Sequence, residues 1–232
     1  MNILSAGAAK GLLKTIAANA GIEFSGEFGA VGAMRERLAA GAACDVIVLT
    51  EKMIAELAAL GIVDAGGVIA LGKVRTGVAL PAAAKPTRVG TASELKDLLA
   101  NASRIYFPDP ERATAGIHFM KVLKTLGLAE SHRERFATFP NGATAMRAMA
   151  DAGDMGAVGV TQCSEILYTE GVQLIGALPG KFELATVYSA AITATTAKAS
   201  PDGRRDAARL LAALTNARNA ATCMAAGFEP ID

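Results

Sequence analysis

Four segments of the chain share one order of elements: a short apolar strand, a turn of small residues and an amphipathic helix. They read NILSAGAAKGLLKTIAANA, GEFGAVGAMRERLAAG, RIYFPDPERATAGIHFMKVLKTLG and RFATFPNGATAMRAMADAGD. Further apolar strands are CDVIVLT (44–50), RTGVALP (75–81), GAVGVTQ (156–162), VQLIGAL (172–178) and LATVYSAAITA (184–194). Strands that alternate with helices predict an α/β fold with parallel strands, whose ligands bind beyond the strand carboxyl ends, at the helix starts.

The second of these turns, FGAVGAM (28–34), leads into a helix without any side chain that could cap it. A helix start usually carries Ser, Thr, Asp or Asn, whose oxygen accepts hydrogen bonds from the free backbone N–H groups. Uncapped N–H groups, together with a helix dipole worth roughly half a positive charge, attract an anion. We therefore expect several such starts to form an anion site. The alternative is that the small residues at these junctions serve close packing alone.

Composition excludes several other classes of function. The 232 residues are 52% hydrophobic and 19% charged, with a formal net charge of +1 and no Trp. Such a chain has no overall field to attract nucleic acid or an anionic membrane, and few aromatic rings on which bases could stack. Its apolar runs are too short to span a bilayer. We expect a monomer that binds neither nucleic acid nor membrane directly.

The cysteines and histidines are few and scattered. Cys44, Cys163 and Cys223 are odd in number and form no CxxC pair, and His118 and His132 are the only histidines. This pattern predicts free and mostly buried cysteines rather than a disulfide framework or a zinc site. No cofactor and no metal is expected.

Several motifs resemble those of the periplasmic molybdate-binding proteins of ABC importers, which have the type II periplasmic-binding-protein fold. The motifs are LSAGAAKGLL, FGAVGAMRERLAAGAACDVIVLT, ALGKVRTGVALP, FPDPERATAGIHFMKVLKTLG, AVGVTQCSEILYTEGV and MAAGFEPI. The resemblance implies two lobes, each with a mixed sheet flanked by helices, and an anion in the cleft between them. The first lobe would comprise 1–77 plus 185–232 and the second 78–184, with crossovers at RTGVALP and ELATVYSAA.

The sequence departs from the family where hydroxyl groups hold the oxyanion. Ala8 stands where the first turn of the family has a serine, and Ala30 and Val31 stand where the second turn reads F-G-S-S-G. Gln162 replaces a tyrosine. Each lost hydrogen bond to a charged group is worth on the order of 1.5–3 kcal/mol. We therefore expect an organic carboxylate to bind better than molybdate.

The candidate ligand-binding residues lie in the turns and at the end of one strand. They are Ser5, Gly7, Ala8, Ala30, Val31, Gly32, Arg112, Thr114, Ala115, Asn141, Gly142, Ala143 and Gln162. Arg112 is suited to a bidentate pair with a carboxylate. Structural alternatives are that Asp109 caps its turn, that Arg112 is solvated, and that Asn141 caps its helix, with Thr144 three residues on.

Two functions compete on this sequence. The first is a solute-binding protein or sensor for a small organic anion. The second is an isomerase that moves a proton in a tricarboxylate without a cofactor, as aconitate isomerase does on this fold, with His118 as the base. A core histidine that serves only packing is the alternative for His118. His132 is expected on the exposed surface, and Glu165 and Tyr168 in the packing of the next helix.

The compartment depends on whether the chain is complete. As given, it has no export signal after Met1, which predicts a cytoplasmic protein. If a signal peptide was removed, we expect a periplasmic protein whose partner is the membrane component of an ABC importer.

Overall fold

The chain folds into two compact units. The structure, a computed structural model, describes residues 1–85, 87–198 and 201–231, with the backbone alone at 201–203. The first unit comprises Met1–Val74 and Thr186–Asp232, and the second comprises Arg75–Ala185. The boundaries expected from the sequence are 77/78 and 184/185.

Strands and helices alternate along most of the chain. The strands are β1 (Asn2–Ala6), β2 (Ser25–Gly29), β3 (Val46–Thr50), β4 (Ile69–Pro81), β5 (Ile105–Pro108), β6 (Phe136–Phe139), β7 (Val158–Gln162), β8 (Val172–Ala177) and β9 (Ala185–Ile192). The helices are α1 (Lys10–Asn19), α2 (Val31–Ala39), α3 (Glu51–Ala59), α4 (Ala92–Asn101), α5 (Thr114–Leu126), α6 (Gly142–Ala152), α7 (Cys163–Tyr168), α8 (Ala194–Ala197), α9 (Pro201–Leu214) and α10 (Ala220–Ala225). The predicted α/β class, a mixed sheet flanked by helices, is confirmed.

The sheet of the first unit has the order β2-β1-β3-β9. Strand β1 is parallel to both β2 and β3, and β9 is antiparallel to β3. The apolar run of β3 is buried on both faces, as is usual for a central strand covered by helices. Helix α1 buries Leu12, Leu13 and Ile16 on one side, as its spacing predicts. Because β1 and β2 are parallel neighbours, the turns that follow them lie at the same edge of the sheet.

The sheet of the second unit places β4 between β7 and β8, antiparallel to both. Strand β7 is followed by β5 and β6, and these three strands are parallel. One face, here called the α5 face, carries a core that includes Val78, Val160, Phe107 and Phe119. The opposite face, the α6 face, carries Ala79, Tyr106, Met146 and Met149. The starts of α5, α6 and α7 follow β5, β6 and β7, so all three lie at the carboxyl edge of this sheet.

Candidate functional site

The start of α2 has no side-chain cap. Ala30 precedes the helix in an extended conformation, and it provides no side-chain cap for the first turn. The first turn contains no acidic residue, and Ala30 and Val31 are buried. The predicted absence of an N-cap side chain at this start is confirmed, so the capping residue itself satisfies none of the first N–H groups.

The turn after β1 is similar. A short 3₁₀ turn, Gly7–Ala9, leads into α1, and neither element has a side-chain cap or an acidic residue in its first turn. Gly7, Ala8 and Ala9 are all buried. The hydroxyl of Ser5 donates to the carbonyl oxygen of Ala6 at 2.9 Å, so it already has a partner within the strand.

Helix α5 in the second unit also begins without a cap. Ala113 precedes it in an extended conformation, and it provides no side-chain cap for the first turn. Ala113, Ala115 and Gly116 are buried, while Thr114 is half-buried. A Cβ at Gly116 would overlap the carbonyl oxygens of Pro108 and Asp109. Glycine at this position therefore lets α5 begin directly against the end of β5.

The residues before α5 form a closed turn. One carboxylate oxygen of Asp109 accepts the backbone N–H groups of Glu111 at 2.7 Å and Arg112 at 3.1 Å. Asp109 thus caps the turn, which was the structural alternative for this residue. Arg112 is exposed in this turn, just before the start of α5.

Other helices of this chain carry caps of their own. Thr50 accepts from the first turn of α3, and Thr91 and Glu94 form a complete capping box on α4. Asn141 accepts from the N–H of Thr144 at 2.9 Å at the start of α6. The short helices α7 and α10 also begin without a side-chain cap, but α7 has the acidic Glu165 in its first turn and α10 has only six residues.

The start of α6 is closed by a residue from another element. The carboxylate of Glu165 accepts hydrogen bonds from the backbone N–H groups of Gly142, Ala143 and Gln162. It also accepts from the Thr161 hydroxyl at 2.6 Å. The N–H groups of Gly142 and Ala143 are thus already used inside the protein, which differs from the expectation that they bind a ligand. Burial raises the pKa of Glu165, and the hydrogen bonds partly oppose that shift.

Strand β7 ends with two polar residues that face opposite sides of the sheet. Thr161 contacts Glu165 on the α6 face. Gln162, only 3% exposed, follows Val160 by two residues and therefore faces the α5 side. Its cross-strand partner on β4 is Thr76. The side chain of Gln162 thus faces the α5 side of the sheet, whereas its backbone N–H donates to the Glu165 carboxylate at the start of α6.

Both histidines are held by backbone carbonyl groups. The Nε2 atom of His118 lies 2.8 Å from the carbonyl oxygen of Phe182. Because a carbonyl oxygen only accepts, this Nε2 donates, which leaves Nδ1 for any proton transfer. His132 is half-buried, with Nε2 3.3 Å from the carbonyl oxygen of Ala100, so its predicted place on the exposed surface is wrong.

Cys44, Cys163 and Cys223 form no disulfide in the part of the chain that the structure describes. Cys163 is buried and the other two are half-buried, and burial raises the pKa of Cys44 to about 11. Within the described ranges, no group of three or more His, Cys, Asp or Glu side chains could hold a metal ion. None of the helices described for this chain has both the length and the apolar character that a membrane-spanning helix needs.

Solved structures with similar folds include several binding proteins. The periplasmic molybdate-binding protein of Azotobacter vinelandii is 21% identical, with a TM-score of 0.77 and both chains fully covered. The sulfate-binding protein SubI of Mycobacterium tuberculosis is 17% identical, with a TM-score of 0.68, all of this chain and 87% of that chain covered. PEB3 of Campylobacter jejuni, solved with bound L-phospholactate, is 14% identical, with a TM-score of 0.64 and both chains fully covered.

Sequence comparison gives the family directly. No protein with a curated description matches this chain. The sequence model of the family described as "Bacterial extracellular solute-binding protein" matches residues 1–229. The fold agrees with that match, since it is the molybdate-binding-protein-like periplasmic binding fold that the sequence motifs predict. The chain therefore belongs to the bacterial extracellular solute-binding proteins.

Proposed function

We propose that this protein binds a small organic anion through backbone N–H groups at uncapped helix starts, the candidates being those of α1 and α2 in the first unit and that of α5 in the second. One observation carries the proposal: these three starts have neither a side-chain cap nor an acidic residue in the first turn. The starts of α3, α4 and α6 are all capped by the protein's own side chains. An anion bound at such a start would satisfy donors that nothing in its own turn satisfies.

The comparisons support an anion as the ligand. The chain belongs to a solute-binding family, and proteins of similar fold are named for binding molybdate and sulfate or were solved with L-phospholactate. All three of those ligands are small anions with several oxygen atoms. Helix starts bind such groups without any help from lysine or arginine.

The chemistry of the turns favours a carboxylate over molybdate. Ala8, Ala30 and Val31 have no hydroxyl to donate to a tetrahedral oxyanion, and each is buried beside a helix start. Val31 adds an apolar wall, which suits a ligand that has carbon atoms between its charges. Arg112, exposed just before α5, would pair with a second carboxylate of such a ligand.

A transport role follows from the same proposal. A solute-binding protein of this family would deliver its anion to the membrane component of an ABC importer. The isomerase alternative has less support, because the family match is to solute-binding proteins and the similar folds cited here are those of binding proteins. The expectation that one ligand lies in a cleft between two lobes remains a prediction.

Calorimetry tests the proposal directly. The protein is titrated with citrate, aconitate, succinate, sulfate and molybdate, each under the same buffer and salt conditions. We expect at least one of the carboxylates to bind more tightly than either inorganic oxyanion. Submicromolar binding of molybdate, together with undetectable binding of all three carboxylates, would show that the proposed ligand class is wrong.

A further inference from the structure

Thr76 on β4 carries a buried hydroxyl without a hydrogen-bond partner. The residue is 0% exposed, and its Oγ1 makes no hydrogen bond to any residue that the structure describes. Its backbone is fully used: the N–H donates to Leu184 at 2.8 Å, and the carbonyl oxygen accepts from Leu178 at 2.9 Å. A buried hydroxyl that donates to nothing costs free energy, and an unsatisfied group of this kind in a native protein needs an explanation.

The alternation of side chains along the strands shows which way this hydroxyl points. Val78, two residues after Thr76, belongs to the core of the α5 face. Val160 on β7 is the cross-strand partner of Val78 and belongs to the same core. Gln162 lies two residues after Val160. Because side chains two residues apart share a face, Thr76 and Gln162 form the next cross-strand pair on the α5 face. This pair lies toward the carboxyl end of β7.

The same edge of the sheet carries the start of α5. Phe119 of α5 packs on Phe107 of β5, with ring centroids 5.2 Å apart, inside the α5-face core. Ala115 lies one helical turn earlier on the same side of α5 and is buried. Measured from the Phe107–Phe119 contact toward the carboxyl edge of the sheet, Ala115 lies one helical turn further along, which is about 5.4 Å. The Thr76–Gln162 pair lies two strand residues further along in the same direction, which is about 6.6 Å. The Thr76–Gln162 pair is therefore level with the uncapped start of α5.

We propose that the Thr76 hydroxyl is a specificity-determining group that donates a hydrogen bond to an oxygen of the anion bound at the start of α5. The inference rests on the proposed anion-binding function and adds a side-chain donor to it. A β-branched side chain on a central strand holds its hydroxyl in one orientation, so little entropy is lost when the ligand binds. Ala113, which precedes α5, offers no hydroxyl as a cap, and β4 would supply one to the anion.

The decisive variant is Thr76→Val, which removes the hydroxyl and keeps the shape. Wild type and variant are titrated with citrate, aconitate, succinate, sulfate and molybdate by calorimetry, and their melting temperatures are measured without added anion. We expect the affinity of the variant to fall about tenfold or more for any of these anions that binds wild type. The melting temperature without anion should stay the same or rise, because no native hydrogen bond is lost.

Two further variants make the test specific. Thr76→Ser keeps a hydroxyl and should retain most of the affinity. Thr169→Val removes a buried threonine hydroxyl that already donates to the Glu165 carbonyl oxygen at 2.7 Å, so it should lower the melting temperature and leave affinity unchanged.

The outcomes separate this inference from the proposed function. If wild type binds one of the five anions and Thr76→Val binds it equally well, the role of Thr76 is wrong and the anion site stands. A lower melting temperature of Thr76→Val with unchanged affinity would show a structural hydroxyl, and the inference would again fail. If wild type binds none of the five anions, both the proposed function and this inference are overturned.

Discussion

At the scale of single residues, Glu165 has its chemistry set by the groups packed around it. Its carboxylate is buried, accepts the Thr161 hydroxyl at 2.6 Å and accepts three backbone N–H groups. No charged side chain contributes to the shift in its pKa, because desolvation is the largest cause and hydrogen bonds are the others. The exposed Arg147 and Asp151 are the charged side chains of α6, and β7 and β8 carry none.

The raised pKa of Glu165 predicts a particular dependence of stability on pH. Since its pKa is higher in the folded than in the unfolded chain, the folded form binds the proton more tightly. The contribution of Glu165 to the free energy of unfolding therefore falls as pH rises from 4.5 through the folded pKa. Glu165→Gln removes this contribution. Urea unfolding between pH 4 and pH 8 should show the variant gaining stability relative to wild type as pH rises, whereas a constant difference would contradict the prediction.

Single hydroxyls also decide the choice of anion in our proposal. Ala8→Ser and Ala30→Ser add side-chain donors at the two uncapped starts of the first unit. We expect the double variant to bind molybdate at least tenfold more tightly than wild type, because each hydrogen bond to a charged oxygen adds on the order of 1.5–3 kcal/mol. Titration calorimetry measures this. Ala92→Ser, at the start of the capped α4, is the control and should have no effect; an unchanged affinity of the double variant would mean that these turns do not touch the anion.

At the scale of elements, the helices of nine or more residues whose starts the structure describes fall into two kinds. The starts of α1, α2 and α5 are buried, uncapped and lined by Gly and Ala, whereas α6 is closed by Asn141 and by Glu165 from α7. The closure of α6 requires a glycine. A Cβ on Gly142 would overlap both the Thr161 hydroxyl and the Glu165 carboxylate. At the start of α6, the Glu165 carboxylate thus takes the place that a bound anion would have. The first turns of α1, α2 and α5 contain no carboxylate of their own.

This packing makes Gly142→Ala a sensitive test of the α6 start. The added methyl group would push the Glu165 carboxylate away from its donors, so we expect a loss of roughly 1–3 kcal/mol in the free energy of unfolding. Gly66→Ala is the matched control, since a Cβ there would lie 3.6 Å from Asp64 in ordinary contact. Urea unfolding of both variants measures the difference. Equal stability of Gly142→Ala and wild type would mean that Glu165 does not close this helix.

At the scale of the whole molecule, features carried by local sequence could be predicted and features that join distant segments could not. The alternation of strands and helices gives the α/β class, and the missing oxygen at Ala30 gives an uncapped start. The cap at Asn141 is also local, because its partner Thr144 is three residues away. In the sequence, Glu165 looks like an ordinary acidic residue in the first turn of α7. No neighbouring residue in the sequence indicates that its carboxylate contacts the start of α6. Thr76 lies in the apolar run RTGVALP, and only the folded sheet shows that its hydroxyl is buried without a partner.

At the scale of the whole molecule, the anion proposal predicts which added charges weaken binding. Ala33→Glu places an acidic side chain in the first turn of α2 in the first unit, and Thr114→Asp does the same in α5 of the second unit. An acid at these positions favours the helix through its dipole but repels an anion at the helix start. We expect an affinity loss of about tenfold or more, without a lower melting temperature, for each variant whose helix start binds the anion. Calorimetry with the five anions measures this, and Ser93→Glu on the capped α4 is the control for added charge. Unchanged affinity in both variants would mean that neither start binds the anion.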